Sequence, residues 1–117
     1  MPTIRDLVAA IRQRDGVDAA VILGRDGLLI DSQTVANLAP EDVAAHVPAI
    51  ISAADEFGAA AHRGTLTTAV LEHPQGLAIV SVLSDDAVLL VLVQATANIG
   101  QLLFELRRNR EHIASLV

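Results

Sequence analysis

The sequence predicts an α+β domain built on a single five-stranded antiparallel sheet with strand order 2-1-5-4-3. Helix two is expected on one face and the N- and C-terminal helices on the other. Three observations carry this. Apolar residues recur at helical spacing in three separate segments, around Ile4 to Ile11, Val43 to Ala61 and Ile99 to Ile113. Five short runs rich in Val, Leu, Ile and Thr, bounded by Gly, Pro and Asp, alternate with those segments and read as strands. The first and fifth runs are the most continuously apolar, so both belong inside the sheet, which leaves the second and third strands as its edges.

Each element follows from local chemistry. Thr3 is placed to cap a first helix on which Ile4, Leu7, Val8 and Ile11 share a face, and Gly16 ends it. Val17 to Leu23 is the first strand, Gly24 to Gly27 a turn, and Leu28 to Asp31 the returning arm of a hairpin. Pro40 suits a first helical residue, and Glu41 and Asp42 complement the helix dipole, so helix two runs from Pro40 to His62. Its large apolar arc holds Val43, Val47, Ile50, Ile51, Ala54, Phe57, Gly58 and Ala61, and Pro48 inside it predicts a bend. Thr65 to Glu72, Leu77 to Leu83 and Val88 to Gln94 form a meander. The turns at His73 to Gly76 and Ser84 to Asp86 join its strands. Ile99, Leu102, Leu103, Leu106 and Ile113 mark one final helix.

Residues 1–117 are expected to form one domain, long enough to bury about two-thirds of the unfolded surface. A net charge of −6 and two phenylalanines as the whole aromatic complement exclude a nucleic-acid partner, which needs excess basic charge and stacking platforms. The absence of cysteine excludes disulfides, thiolate metal sites and cysteine catalysis. The longest apolar run, Ala87 to Val93, is far short of the ~20 residues that span a bilayer, so no membrane partner is expected. Arg5 and Asp6 interrupt any signal-peptide core and point to a cytoplasmic protein.

Each candidate for chemistry has a simpler reading. Asp42 and His46 stand four apart on helix two but lack a third metal ligand. Asp85 and Asp86 are turn formers between strands. Gly24 and Gly27 lie in a strand-to-strand turn, without the strand-to-helix geometry that cradles phosphate. Arg107, Arg108 and Arg110 interleave with Glu105 and Glu111 as a solvated helix face. No catalytic, metal-binding or cofactor-binding residue is expected, and the chain does not read as an enzyme.

What remains is surface for other proteins. Strand three, Thr65, Leu66, Thr67, Thr68, Ala69, Val70 and Leu71, carries no charge until Glu72 although it lies at an edge, and soluble proteins block or pair such edges. Helix two bears a small-residue stripe at Ala45, Ala49, Ala53 and Ala60. Helix propensity alone also explains it, so close helix packing is one of two readings. Together these features predict a homodimer whose interface holds Ala49, Ala53, Ala60, Thr65, Leu66, Thr67, Thr68, Ala69 and Val70. Helix two is acidic through Glu41, Asp42, Asp55 and Glu56, whereas the terminal helices are net positive, so a basic partner is expected on helix two at Glu41, Ala45, Ser52 and Glu56.

Several of these residues also match a family. Gly16-Val17 enters an apolar strand, and Asp26-Gly27 turns into Leu28-Leu29-Ile30. An alanine-rich helix closes at Phe57-Gly58, Gly64-Thr65-Leu66 enters the next strand, and Ala97-Asn98-Ile99-Gly100 opens the last helix. In this order they resemble the Roadblock/dynein light-chain family, in particular the bacterial MglB-like members that accompany Ras-like small GTPases. The resemblance implies a profilin-like Roadblock fold and a homodimer joined through third strands and paired second helices. It further implies a role as regulator or scaffold of a Ras-like small GTPase, acting without a catalytic residue of its own. The alternative is a small-molecule sensor, because sheets flanked by helices also host ligand pockets.

Overall fold

The computed structural model describes residues 2–117. Helix α1, Ile4–Arg12, opens with the expected cap: the Asp6 N–H donates to Thr3 Oγ1, and the Asp6 carboxylate accepts the Thr3 N–H. Strands β1, Val17–Gly24, and β2, Leu29–Thr34, form the hairpin. Helix α2, Pro40–Ala60, leads to β3, Thr68–His73, β4, Gly76–Val82, and β5, Ala87–Val93. The chain closes with α3, Ile99–Arg108, and α4, Arg110–Ser115. All strand pairs are antiparallel, and the order is β2-β1-β5-β4-β3, as the apolar runs require.

Alternating side chains divide the core between the two faces of the sheet. On one face Ile22, Ile79, Leu89 and Val91 pack with Val8 and Ile11 of α1, Leu102 and Leu106 of α3 and Ile113 of α4. On the other, Val21, Leu23, Val80, Val88 and Leu90 meet Ala44, Val47 and Ile51 of α2. Helix α2 is unbroken across Pro48, whose missing N–H leaves the Ala44 carbonyl without its helical donor. The hairpin turn packs against this spot: a Cβ on Gly27 would stand 3.1 Å from Pro48 Cγ.

Helix α1 ends at Arg12, short of Gly16, and β1, β4 and β5 are shifted by a single residue; four larger differences from the predicted elements follow. Strand β2 runs on through Ser32, Gln33 and Thr34, a polar stretch that still pairs with Ala19 to Val21 because an edge strand needs apolar residues on one face only. Helix α2 stops at Ala60, where His62 adopts a left-handed φ of 56°. There the Arg63 N–H reaches the Gly58 carbonyl at 2.7 Å and the His62 N–H the Ala59 carbonyl at 3.2 Å, a Schellman closure. Gly58 permits the reversal, since a Cβ there would lie 1.9 Å from the Gly64 carbonyl oxygen. Strand β3 begins at Thr68; Thr65, Leu66 and Thr67, expected within it, precede it because the Leu66 N–H is held by Asp55 Oδ1 at 2.7 Å. The final helix is two helices, broken at Asn109, whose side-chain amide donates to the Glu105 carbonyl at 2.9 Å.

Candidate functional site

The candidate surface combines the free edge of β3, the outer side of α2 and the sheet face between them. Strand β3 pairs with β4 alone. The Thr67 carbonyl accepts the Val82 N–H at 2.9 Å, and the register then runs without a bulge from Thr68 opposite Ser81 to His73 opposite Gly76. In an antiparallel ladder the bonded pairs alternate, so Ala69, Leu71 and His73 turn their backbone groups toward β4. Thr68, Val70 and Glu72 therefore direct theirs off the sheet.

The start of this edge is anchored from behind. Arg110, expected on a solvated helix face, is half-buried instead and reaches across from α4: its Nη2 donates to Thr68 Oγ1 at 2.7 Å and to the Thr67 carbonyl at 3.3 Å. Nothing local marks this contact, which joins residues far apart in sequence. Its neighbours Arg107 and Arg108 are exposed as expected.

Helix α2 packs on β1, β2 and β5 and reaches Val80 of β4, and beside its first half the sheet toward the β3–β4 hairpin is left uncovered. The result is an apolar groove of about 660 Å³. Val43, His46, Val47 and Ile50 form its helical wall, and Leu71, Ala78, Val80 and Leu92 belong to its sheet side. Phe57, expected in the buried arc, is 73% exposed. It lies on α2 seven residues beyond Ile50, the last helical residue of the groove wall.

Of the residues expected at a homodimer interface, Ala49, Ala53 and Ala60 are exposed on α2, while Thr68 and Ala69 are half-buried at the edge and Val70 is exposed. Glu41, Ala45, Ser52 and Glu56 are all exposed too. Ser52 and Glu56 border a smaller cleft of about 370 Å³ with Arg25 and Pro48. Asp55, counted with the acidic surface, is committed inward: besides holding Leu66 it faces Arg25 Nη2 at 3.5 Å, so it ties α2 to the β1–β2 turn.

Asp42 and His46 are exposed, and among the described residues no cluster of three or more His, Cys, Asp or Glu side chains could hold a metal ion. Asp86 and Ala87 donate their N–H groups to Ser84 Oγ, which makes this loop a serine-braced turn. Among the described residues no helix is long and apolar enough to cross a membrane.

A family model described as the Roadblock/LC7 domain matches residues 3–93, from α1 to the end of β5. The chain belongs to the Roadblock/LC7 family. The uncharacterized protein MJ1340 of Methanocaldococcus jannaschii is 28% identical over 106 residues, covering 91% of this chain and 92% of its own. The Roadblock/LC7 domain from Streptomyces avermitilis shares the fold with a TM-score of 0.83 at 22% identity, over 93% of this chain and 92% of that one. Myxococcus xanthus MglB does so with a TM-score of 0.86 at 11% identity, over 97% and 93%. The Roadblock fold thus accounts for the strand order and for the placement of α2 on one face and the other helices opposite.

Proposed function

We propose that this Roadblock chain is a homodimeric regulator or scaffold for a Ras-like small GTPase, in the manner of MglB. The observation that carries the reading is the β3 edge: an ordered strand with three outward-facing residues and no charge before Glu72, beside a sheet face that its own helix leaves uncovered. Two copies paired antiparallel about Val70 would match Val70 with itself and Thr68 with Glu72, each pair exchanging two backbone bonds. One fold neighbour, MglB, has been solved in a tetrameric arrangement. The family resemblance implies a role toward a small GTPase, and this reading needs no catalytic side chain from the chain itself.

The GTPase is assigned to the outer side of α2, through Glu41, Ala45, Ser52 and Glu56. These residues turn away from the groove, and their acidic members contrast with the arginines of α3. Complementary charge mainly sets the encounter rate and register, so a GTPase with a basic patch docks there faster at low salt. Surface binding kinetics with a Ras-like GTPase from the same genome test this. The double variant Glu41→Lys and Glu56→Lys should slow association about tenfold at low salt, and Arg107→Glu with Arg108→Glu should leave it unchanged. The opposite pattern moves the docking face to the terminal helices. No binding of the wild-type chain in either nucleotide state removes the GTPase reading.

The sensor alternative has the groove volume in its favour, because 660 Å³ is within the range of small-molecule sites. Its lining, apolar with His46, His73, Asp18, Asn37 and Gln75 as the polar side chains, also fits such a site.

A further inference from the structure

We infer that the outer side of α3, where Phe104 stands beside Arg107 and Arg108, docks on an anionic lipid surface. The contact is peripheral, so it needs none of the apolar length that a membrane span requires. Phe57 and Phe104 are the chain's whole aromatic complement, and neither is taken into the core. Phe104 is 62% exposed in the middle of α3. Leu102 and Leu106, two residues to either side and about 160° away round the helix, are the ones buried against the sheet. The ring therefore projects away from the core, on a helix whose opposite side is fixed.

Its surroundings are basic. Arg107 and Arg108 follow at three and four residues, share its side of the helix, and are exposed without an ion pair among the described residues. Glu105, the nearest carboxylate in sequence, is paired with Arg14. Residues 2–14 and 97–117 hold six of the eight arginines against Asp6, Glu105 and Glu111, whereas the rest of the chain holds two arginines against eleven carboxylates. One side of an acidic protein is thus positive. The sheet separates it from the acidic helix, because α1, α3 and α4 pack on one face and α2 on the other. The chain measures 27 Å along even its shortest axis, against a Debye length of about 8 Å at physiological salt. The carboxylates of α2 are therefore screened from a surface that meets α3.

Arginines beside an anionic leaflet and an apolar ring among its headgroups supply the two attractions that hold a protein at such a surface. In the homodimer proposed above, on which this doubling rests, both attractions occur twice. Two β3 strands paired in plane are related by a twofold normal to the sheet, which keeps the two sheet faces aligned. Both α3 helices then lie on the same side of the dimer. A lipid plane meets the two together, whereas a small acidic protein meets one at a time, so the arrangement favours the lipid surface. Two weak contacts made at once give a firm one.

The chain has no tryptophan, so Phe104→Trp supplies a single fluorescent reporter. With vesicles of phosphatidylcholine and phosphatidylglycerol in equal parts its emission should shift to the blue, and vesicles of phosphatidylcholine alone should leave it unchanged. In vesicle co-sedimentation at about 0.1 M salt the wild type should bind the anionic vesicles. Phe104→Ala, and separately Arg107→Ala with Arg108→Ala, should each lower the partition coefficient at least about tenfold. All three residues are exposed, and circular dichroism checks that the fold is retained. No binding of the wild type to the anionic vesicles, or binding that neither variant weakens, overturns the inference. A blue shift with soluble polyglutamate and none with anionic vesicles gives this face to an acidic protein and overturns it equally. Val70→Pro, which blocks strand pairing, should weaken vesicle binding while the sensitivity to Phe104→Ala persists. Vesicle binding that Val70→Pro leaves unchanged removes the homodimer's doubling and leaves the lipid contact standing.

Discussion

The two faces of the sheet are finished to different degrees. On one, α1, α3 and α4 together cover the strands, and Val8, Leu102, Leu106 and Ile113 fill the space above Ile22, Ile79, Leu89 and Val91. On the other, α2 covers β1, β2, β5 and Val80 of β4, and an apolar groove of about 660 Å³ stands open beside it toward the β3–β4 hairpin. The free backbone of β3 borders that same open region. The closed face is completed within the chain, and the open face, with the unpaired edge beside it, is the surface proposed above for a second copy. An uncharged edge beside an apolar face is the kind of surface that marks an interaction site.

The sharpest way to break this contrast is to cut the same kind of side chain from each face. Ile79→Ala on the closed face should cost about 2–5 kcal/mol. In urea unfolding its midpoint should shift by the same amount at every protein concentration. Leu71→Ala on the open face should cost little at low micromolar concentration, and its deficit should grow with concentration as dimerisation begins to stabilise the wild type. Equal, concentration-independent losses at both positions would mean that the open face is not an interface.

A smaller effect should come from the strand edge itself. The Val70 N–H points off the sheet, so Val70→Pro removes no bond to β4, and proline is tolerated at such an edge position. The dimer dissociation constant should rise at least about tenfold by sedimentation equilibrium while the far-ultraviolet circular dichroism is retained. The position matters: a proline at Thr67 would fall where the backbone turns toward β4, because the Thr67 carbonyl is bonded to Val82.

Smaller still is the contribution of the arginine that steadies this edge. Arg110→Ala gives up two hydrogen bonds at the start of β3 and should lower stability by about 1 kcal/mol in thermal unfolding. If the chain stimulates GTP hydrolysis, the same variant should leave the stimulated rate within about tenfold, against the 10³ to 10⁵ lost with a true arginine finger. A collapse of that size would make Arg110 catalytic and its contact with Thr68 incidental.

Strand order was readable because it depends on one-dimensional patterns. Val21-Ile22-Leu23 and Val88-Leu89-Leu90-Val91 are apolar without alternation, which only internal strands tolerate. The capping of α1 by Thr3 was readable for the same reason, as its partners lie within one turn. Phe57 was misplaced because a helical wheel shows where apolar residues cluster and does not show how much of that arc the sheet covers. Here the sheet under α2 covers Val47 and Ile51 but not the margin at Phe57. The early start assigned to β3 failed because Thr65, Leu66 and Thr67 suit a strand chemically. A side chain on α2, Asp55, holds their backbone elsewhere. The break at Asn109 was hidden by a side chain that serves equally as a polar face residue and as a terminator. Arg110 was the least legible, since its role depends on a strand 42 residues away. The candidate surface was visible as an uncharged edge and a row of alanines, whereas the groove beside it exists only in three dimensions.

Residue-resolved amide hydrogen exchange across β3, followed from low to high micromolar protein concentration, tests the central claim most directly. Ala69, Leu71 and His73 face β4 and should be protected throughout. Thr68, Val70 and Glu72 should exchange freely in dilute solution and become protected as concentration rises, in the alternating pattern that only pairing with a second strand produces. If these three amides exchange at unprotected rates at every concentration, the β3 edge is unpaired in solution, and the account of the open face as a homodimer interface is wrong.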